Sequence, residues 1–241
     1  MELNKIYEYQ NKAYQGKYGN IKNSLLAKNS LIFKEFFLLT YFLEEFNVLD
    51  KFNLDKKIEI LEPGCGCGVL SKYLATFAKN VYSFDNSEAG IKLSKKYNNG
   101  LENVHHFLGD GIKLNSIKNI QSKKFDFIYL REFSPLSRNF FEDANKNMSL
   151  LNTYIELLKP NGIIIINHAQ DKSFPNLIFE DLPKKYKNMF IGTYFPNFLI
   201  ILLLIFRYKF NIASPIASFL SSILFVFLKR PVKLAVLQKR D

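Results

Sequence analysis

The sequence predicts an α/β fold in which helices flank a mostly parallel β-sheet, and three observations predict it. First, the apolar, period-two run Ile58-Glu59-Ile60-Leu61-Glu62 opens after Pro63 into Gly64-Cys65-Gly66-Cys67-Gly68. That is a buried strand, a loop without side-chain bulk and the start of a helix over Val69–Ala78, an arrangement that lets backbone N–H groups approach a ligand closely. Second, strand-like runs at Val81–Asp85, Val104–Leu108, Phe125–Leu130 and Ile163–Ile166 alternate with helix-like or turn-rich segments, as βαβ units require. Third, Glu62, Asp85, Asp110, Arg131 and His168 each follow one of these runs. In an open parallel sheet such positions share one crevice beyond the carboxyl ends of the strands.

Taken in order, residues 1–50 form an N-terminal helical or lid segment. It is tyrosine-rich at its start (Tyr7, Tyr9, Tyr14, Tyr18). Ser24 or Asn29 then opens helical structure to about Phe46, with Phe33, Phe36, Phe37, Leu39, Tyr41 and Phe42 on a broad apolar face. This segment either lies across the ligand pocket as a lid or packs on the sheet. Residues 51–170 form the core. After the second strand, Asn86 or Ser87 caps a helix reaching roughly Tyr97. Asp143 opens a helix through Leu150, Leu151, Tyr154, Ile155 and Leu158, which Pro160 stops. Residues 171–241 belong to the same domain and carry apolar helices before a last strand at Val232–Leu237.

The glycine spacing is G-x-G-x-G. A nicotinamide-type fingerprint, G-x-G-x-x-G, would need glycine where Val69 stands, and Glu62 has no place in it. Together, the acid before the glycines, the acid Asp85 after the second strand, Gly109-Asp110 after the third, the fourth strand and Leu158-Lys159-Pro160-Asn161-Gly162 before the fifth form an ordered set. Over residues 55–170 the chain resembles the class I S-adenosylmethionine-dependent methyltransferases. The resemblance implies a Rossmann-like, seven-stranded, mostly parallel sheet with S-adenosylmethionine as cofactor. It implies that Asp85 binds the ribose hydroxyls with Asn86 beside the adenine, and that Asp110, next to Gly111, faces the adenine amino group. Glu62, Gly64, Cys65, Gly66 and Gly68 would complete the cofactor site. Arg131 would bind the cofactor carboxylate or an acidic acceptor, or else pair with Glu132 or Glu142 on the rim. His168 would act as general base for a hydroxyl acceptor, or is a structural histidine. His105 and His106, adjacent on one strand, face opposite sides and are weak candidates.

Composition narrows the function classes. A chain of 241 residues with 48% apolar content and 24 phenylalanines buries a substantial core and is not a disordered protein. The two cysteines, Cys65 and Cys67, both sit in the glycine loop. They offer no disulfide framework and a poor metal site, and they suit a reducing cytoplasm. The opening Met1-Glu2-Leu3-Asn4 lacks the layout of a secretory signal.

The net charge of +11 is concentrated at the carboxyl-terminal end, where residues 184–241 hold ten Lys and Arg against the single acid Asp241. Within that region 188–206 and 210–228 are uncharged. Gly192, Pro196 and Asn197 break the first, serines dilute the second, and the basic flanks give no orientation for a pair of membrane spans. The apolar helices therefore pack inside the domain or lie as a basic-rimmed surface in the bilayer interface, on the inner face of the cell membrane. The expected acceptor is a small molecule, with an amphiphile or lipid-linked compound favoured by that segment. A nucleic-acid methyltransferase is the enzymatic alternative; its basic charge is interleaved with aliphatic runs rather than gathered on a polar face. A catalytically inactive cofactor-binding module at a membrane is the non-enzymatic one.

Overall fold

A computed structural model describes residues 58–131, 133, 136, 144–169, 186–194 and 232–240. The N-terminal helical or lid segment (1–50), Glu132, Glu142, Asp143 and the apolar stretch over 195–231 lie outside the described residues. Seven strands form one sheet: β1 Ile58–Pro63, β2 Ala78–Asp85, β3 Val104–Leu108, β4 Phe125–Arg131, β5 Leu158–Ala169, β6 Tyr186–Tyr194 and β7 Val232–Lys239. Their order across the sheet is β3-β2-β1-β4-β5-β7-β6. Strands β1 to β5 pair in parallel, whereas β7 runs antiparallel to both β5 and β6. Strand order reverses between β1 and β4, which is where an open parallel sheet offers its ligand crevice.

Three helices are described: α1 Val69–Leu74, α2 Glu88–Tyr97 and α3 Ala144–Glu156, with a short 3₁₀ turn at Leu114–Ser116. Helix α2 begins as its capping residue dictates. The Ser87 Oγ accepts from the Gly90 N–H at 3.1 Å, Glu88 lies in the first turn, and Lys95 and Lys96 lie in the last. Each of these charges sits at the helix end whose partial charge it complements.

The two faces of the sheet are sorted by strand alternation. On one face Leu61, Phe84, Ile128, Leu130, Ile164 and Ile166 pack with Leu151, Tyr154 and Ile155 of α3 in the main apolar cluster. The other face carries Ile60 and Glu62 of β1, Val81, Ser83 and Asp85 of β2, and Phe127, Tyr129 and Arg131 of β4, with Leu70, Ser71 and Leu74 of α1 buried beside it. The alternation thus puts Glu62, Asp85 and Arg131 on a common face, at the carboxyl ends of three adjacent strands.

The structure corrects three element boundaries. Helix α1 stops at Leu74 rather than Ala78. The Thr76 and Phe77 N–H groups reach back only three residues, to Tyr73 and Leu74, which tightens the final turn, and Ala78 already pairs with Ile58. Lys159-Pro160-Asn161-Gly162 is an irregularity inside β5 rather than a turn ahead of it. Phe125 pairs with Leu158 and Phe127 with Ile163, and Asn161 takes φ 60° within the extra length. The first uncharged stretch, read as the start of an apolar helix, begins as β6, whose residues pair with β7 from Tyr186 to Tyr194. Periodicity alone does not separate strand from helix in a short apolar run, and the aromatic and β-branched residues Phe190, Ile191, Thr193 and Tyr194 favour the strand.

Candidate active site

The glycine loop leaves β1 with its backbone in a conformation that L side chains avoid. Gly64, Gly66 and Gly68 have φ of 72°, 56° and 73°. The loop is tied to β2, because the Gly64 and Cys65 N–H groups donate to the Phe84 carbonyl at 2.8 and 3.0 Å. It is also pressed against α2. A Cβ on Gly68 would lie 2.5 Å from Asn98 Nδ2 and 2.6 Å from Ser94 Cβ. Asn98 uses that closeness to donate through Nδ2 to the Gly68 carbonyl at 2.9 Å. Gly68 is therefore required both for its left-handed φ and for the approach of the helix.

Asp85 is organised by the same loop. Its Oδ2 accepts from the Gly66 N–H at 2.9 Å and its Oδ1 from the Ser87 N–H at 2.8 Å. One carboxylate thereby locks the glycine loop to the start of α2. Burial raises its pKa above the ordinary aspartate value, and the N–H groups of Ser87, Gly66 and Asn86 pull it back. Asn86 thus acts on Asp85 through its backbone.

Glu62 is 3% exposed and rests on two buried hydroxyls. Ser71 Oγ of α1 and Ser83 Oγ of β2 donate to its Oε2 at 2.5 and 2.8 Å. Burial pushes its pKa from 4.5 up to about 7; the two serines and then Arg131 act in the opposite direction, and Asp85 adds to the rise. Arg131 is half-buried at the end of β4, with its charge felt at Glu62 and Cys67.

Asp110 joins the site through a third contact set. Its Oδ1 accepts from the Ile112 N–H at 3.0 Å, shaping the turn that follows β3. Tyr154 of α3 donates its hydroxyl to the Gly111 carbonyl at 2.9 Å, and the Asp110 charge adds to the burial that raises the Tyr154 pKa. Phe133 packs edge-on against Tyr154, with ring centres 5.4 Å apart. The same ring would meet a Cβ on Gly64 at 3.4 Å and one on Gly111 at 2.5 Å. Phe133 therefore holds the glycine loop and the Asp110 turn side by side, and Gly111 leaves room for it.

Glu62, the glycine loop, Asp85 and Arg131 are brought together as the sequence indicated, and Asp110 is joined to them through Phe133. His168 lies one residue from the carboxyl end of β5, paired with Lys233 of β7, and β4 separates β5 from β1 in the sheet. The N-terminal tyrosines lie outside the described residues. The Cys65 thiol is pushed well above its ordinary pKa and Cys67 is also raised, burial being the main cause for both. Burial thus disfavours the thiolate at both, and among the described residues no cluster of His, Cys, Asp and Glu has the arrangement of a metal site. His105 lies tilted against Tyr82, with ring centres 4.9 Å apart, and its Nε2 is 3.1 Å from Asn80 Oδ1. Both ring nitrogens of His106 are buried without a hydrogen-bond partner among the described residues, and burial lowers its pKa to about 4, with Lys95 and His105 contributing.

Sequence reasoning missed Ser71, Ser83, Asn98, Phe133 and Tyr154. The available signal was polarity out of place. Ser83 is a buried polar residue between Tyr82 and Phe84 of β2, and Ser71 lies between the buried Leu70 and Leu74 of α1.

A mostly parallel sheet with a glycine loop after β1 and acids at the carboxyl ends of β1 and β2 and after β3 is the layout of an α/β domain that binds its ligand at the ends of the strands. Residues 54–200 match the methyltransferase domain family, and the chain belongs to it. A curated relative is the probable cobalt-precorrin-6B C(15)-methyltransferase (decarboxylating) of Methanococcus maripaludis (strain C6 / ATCC BAA-1332). It is 42% identical over 84 residues, which cover 33% of this chain and 41% of the relative. The chain thus matches less than half the length of that protein. Two solved structures share the fold. Magnesium protoporphyrin IX methyltransferase from Synechocystis PCC 6803, with bound SAM, has a TM-score of 0.57 at 12% identity over 97% of this chain and 95% of that one. The plantazolicin methyltransferase BpumL, in complex with SAH, has a TM-score of 0.57 at 18% identity over 98% and 96%. The cofactor of the family is S-adenosylmethionine. The residues present fit it: a loop with glycine at every second position gives close backbone approach, and three acidic side chains suit a ligand bearing ribose hydroxyls, an amino group and positive charge.

Proposed function

We propose that this protein transfers a methyl group from S-adenosylmethionine to a small-molecule acceptor of amphiphilic character. The observation that carries the reading is the convergence of Glu62, Asp85 and the turn of Asp110 on a glycine loop with left-handed φ at Gly64, Gly66 and Gly68. Asp85, beside Asn86, holds the ribose hydroxyls. Asp110, on the turn that Gly111 leaves room to close, takes the adenine amino group. Glu62 answers the cationic end, and Gly64, Cys65, Gly66 and Gly68 supply a close-fitting backbone wall.

The bound cofactor supplies an electrophilic methyl group on a sulfonium, which departs as a neutral thioether and so needs no acid. What remains for the protein is to orient the acceptor in line, exclude water and remove a proton from the acceptor where it carries one. His168 is the general base in this account, and Arg131 orients an anionic group of the acceptor or the cofactor carboxylate. The curated relative and the two structural neighbours are named for precorrin, protoporphyrin and plantazolicin, which supports a small-molecule acceptor. The concentration of basic residues around uncharged stretches in 184–241 supports an amphiphile, met at the surface of the membrane on its cytoplasmic side. No helix among the described residues is long and apolar enough to cross a membrane.

Calorimetric titration with S-adenosylmethionine tests the cofactor assignment. Asp85→Ala abolishes binding on this account, and unchanged affinity removes the assignment. Transfer of labelled methyl groups to pools of lipids, tetrapyrroles, peptides and RNA then tests the acceptor class; label appearing in RNA alone refutes the small-molecule reading. Replacement of His168 by alanine lowers turnover about 10²–10⁴-fold with cofactor affinity intact if the side chain removes a proton.

A further inference from the structure

We propose that Ser71 and Ser83 are positioning residues that hold the Glu62 carboxyl group for the cationic end of the cofactor, and that capture of the cofactor there expels a proton. The inference rests on the cofactor reading above and adds to it what the two serines do.

The geometry is a closed triangle of oxygens. Ser71 Oγ lies 2.5 Å and Ser83 Oγ 2.8 Å from Glu62 Oε2, and the two hydroxyl oxygens are 3.1 Å apart. All three residues are 3% exposed or less. Each hydroxyl has one proton to give. With Glu62 ionised, both protons go to Oε2 and the serine–serine edge carries none. With Glu62 protonated, a third proton closes the ring, so that every oxygen donates once and accepts once. One arrangement of heavy atoms therefore serves both charge states, and the carboxyl group does not have to move to change between them.

The surroundings set which state prevails. The groups acting on Glu62 are Ser71 of α1, Ser83 and Asp85 of β2, and Arg131 of β4; Cys65 and Cys67 of the loop feel its charge in turn. Burial favours the neutral acid, the serines and Arg131 oppose it, and the balance leaves Glu62 near about 7. A positive charge arriving beside it favours the carboxylate. Asp85 and Asp110 are assigned to neutral groups of the ligand, which leaves Glu62 as the acid that answers its charge. The step balances as a simple ionisation: the Glu62 O–H bond breaks, its electron pair stays on Oε2, and the proton leaves to solvent. The two serines then donate to a full negative charge, the strong form of such a bond.

The test is calorimetry of S-adenosylmethionine binding to the full chain at about pH 6.5, in phosphate and in imidazole, whose ionisation enthalpies differ. With half-protonation of the free site at about 7, the wild type releases more than about half a proton per ligand bound. Glu62→Gln removes that release. Ser71→Ala and Ser83→Ala each weaken binding on the order of tenfold at about pH 8, and each moves the pH below which affinity falls upward by about one unit. Ser83→Thr, which keeps a hydroxyl, retains most of the affinity. Binding by the wild type with no proton release, or with the same release in Glu62→Gln, overturns the inference while leaving the cofactor site standing. Alanine variants that fold, bind as the wild type does and keep its pH midpoint overturn the positioning role. Should those variants fail to fold, the wild-type proton count still decides. A wild type that does not bind S-adenosylmethionine removes the cofactor reading and the inference with it.

Discussion

Burial of Glu62 makes the stability of the free protein depend on pH in a definite window. Its pKa is raised from 4.5 to about 7, desolvation being the largest cause. The folded state keeps the proton after the unfolded chain has released it. As pH rises from the unfolded value to the folded one, the native state binds more protons than the unfolded state, so stability falls; above the folded value the difference is constant. At about 1.4 kcal/mol per unit, the displacement corresponds to about 3 kcal/mol. Glu62→Gln keeps the size and polarity of the side chain without the ionisation. The quantity to measure is the unfolding free energy from urea denaturation, for both proteins, between about pH 5 and pH 8. The wild type loses about 2.5 kcal/mol of this relative to Glu62→Gln across this range. His106, lowered by burial, is present in both proteins and cancels in the difference, and Asp85, also raised by burial, enters only through its charge on Glu62. A wild-type-minus-variant difference that stays flat with pH, or grows in favour of the wild type, refutes the reasoning.

Three further outcomes follow from local geometry. Gly68→Ala places a Cβ 2.5 Å from Asn98 Nδ2 at φ 73°; the left-handed backbone alone costs about 1–2 kcal/mol, and urea denaturation shows a larger loss than that. Tyr154→Phe leaves the Gly111 carbonyl without its 2.9 Å partner, lowering stability by about 1–3 kcal/mol and weakening calorimetric binding of adenosine-containing ligands through the Asp110 turn. His106 has a pKa lowered to about 4, burial being the main cause, so the unfolded chain binds its proton first as pH falls. Stability from this group is present above its unfolded pKa and is lost as pH drops toward the folded one. His106→Leu flattens the acid limb of a thermal-melt series; an unchanged limb excludes the effect.

The succession of the first five strands along the chain and the acids at their ends were legible because they are written in short-range features. Glu62 and Asp85 each end an alternating run, and alternation alone puts them on one sheet face. The glycine spacing set the loop, and Ser87 set the start of α2. What was not legible depends on contacts between residues far apart in sequence. Nothing local to Phe133 says that it will lie against both Gly64 and Gly111, and nothing local to Asn98 says that its amide will reach Gly68, thirty residues away. β6 was missed for a related reason. The run after Tyr186 is apolar and short, and it becomes a strand because β7 is there to pair with it. The end of α1 likewise follows from the pairing of Ala78 with Ile58, a tertiary demand that helix propensity does not express.

The most direct test is a crystal structure of the protein grown with S-adenosylhomocysteine. The account places the nucleoside beyond the carboxyl ends of β1, β2 and β3, with its ribose hydroxyls within hydrogen-bond reach of Asp85, its adenine beside Asp110 and its amino-acid end toward Glu62. Density for the nucleoside at another location, or an empty crevice in crystals saturated with the compound, contradicts it.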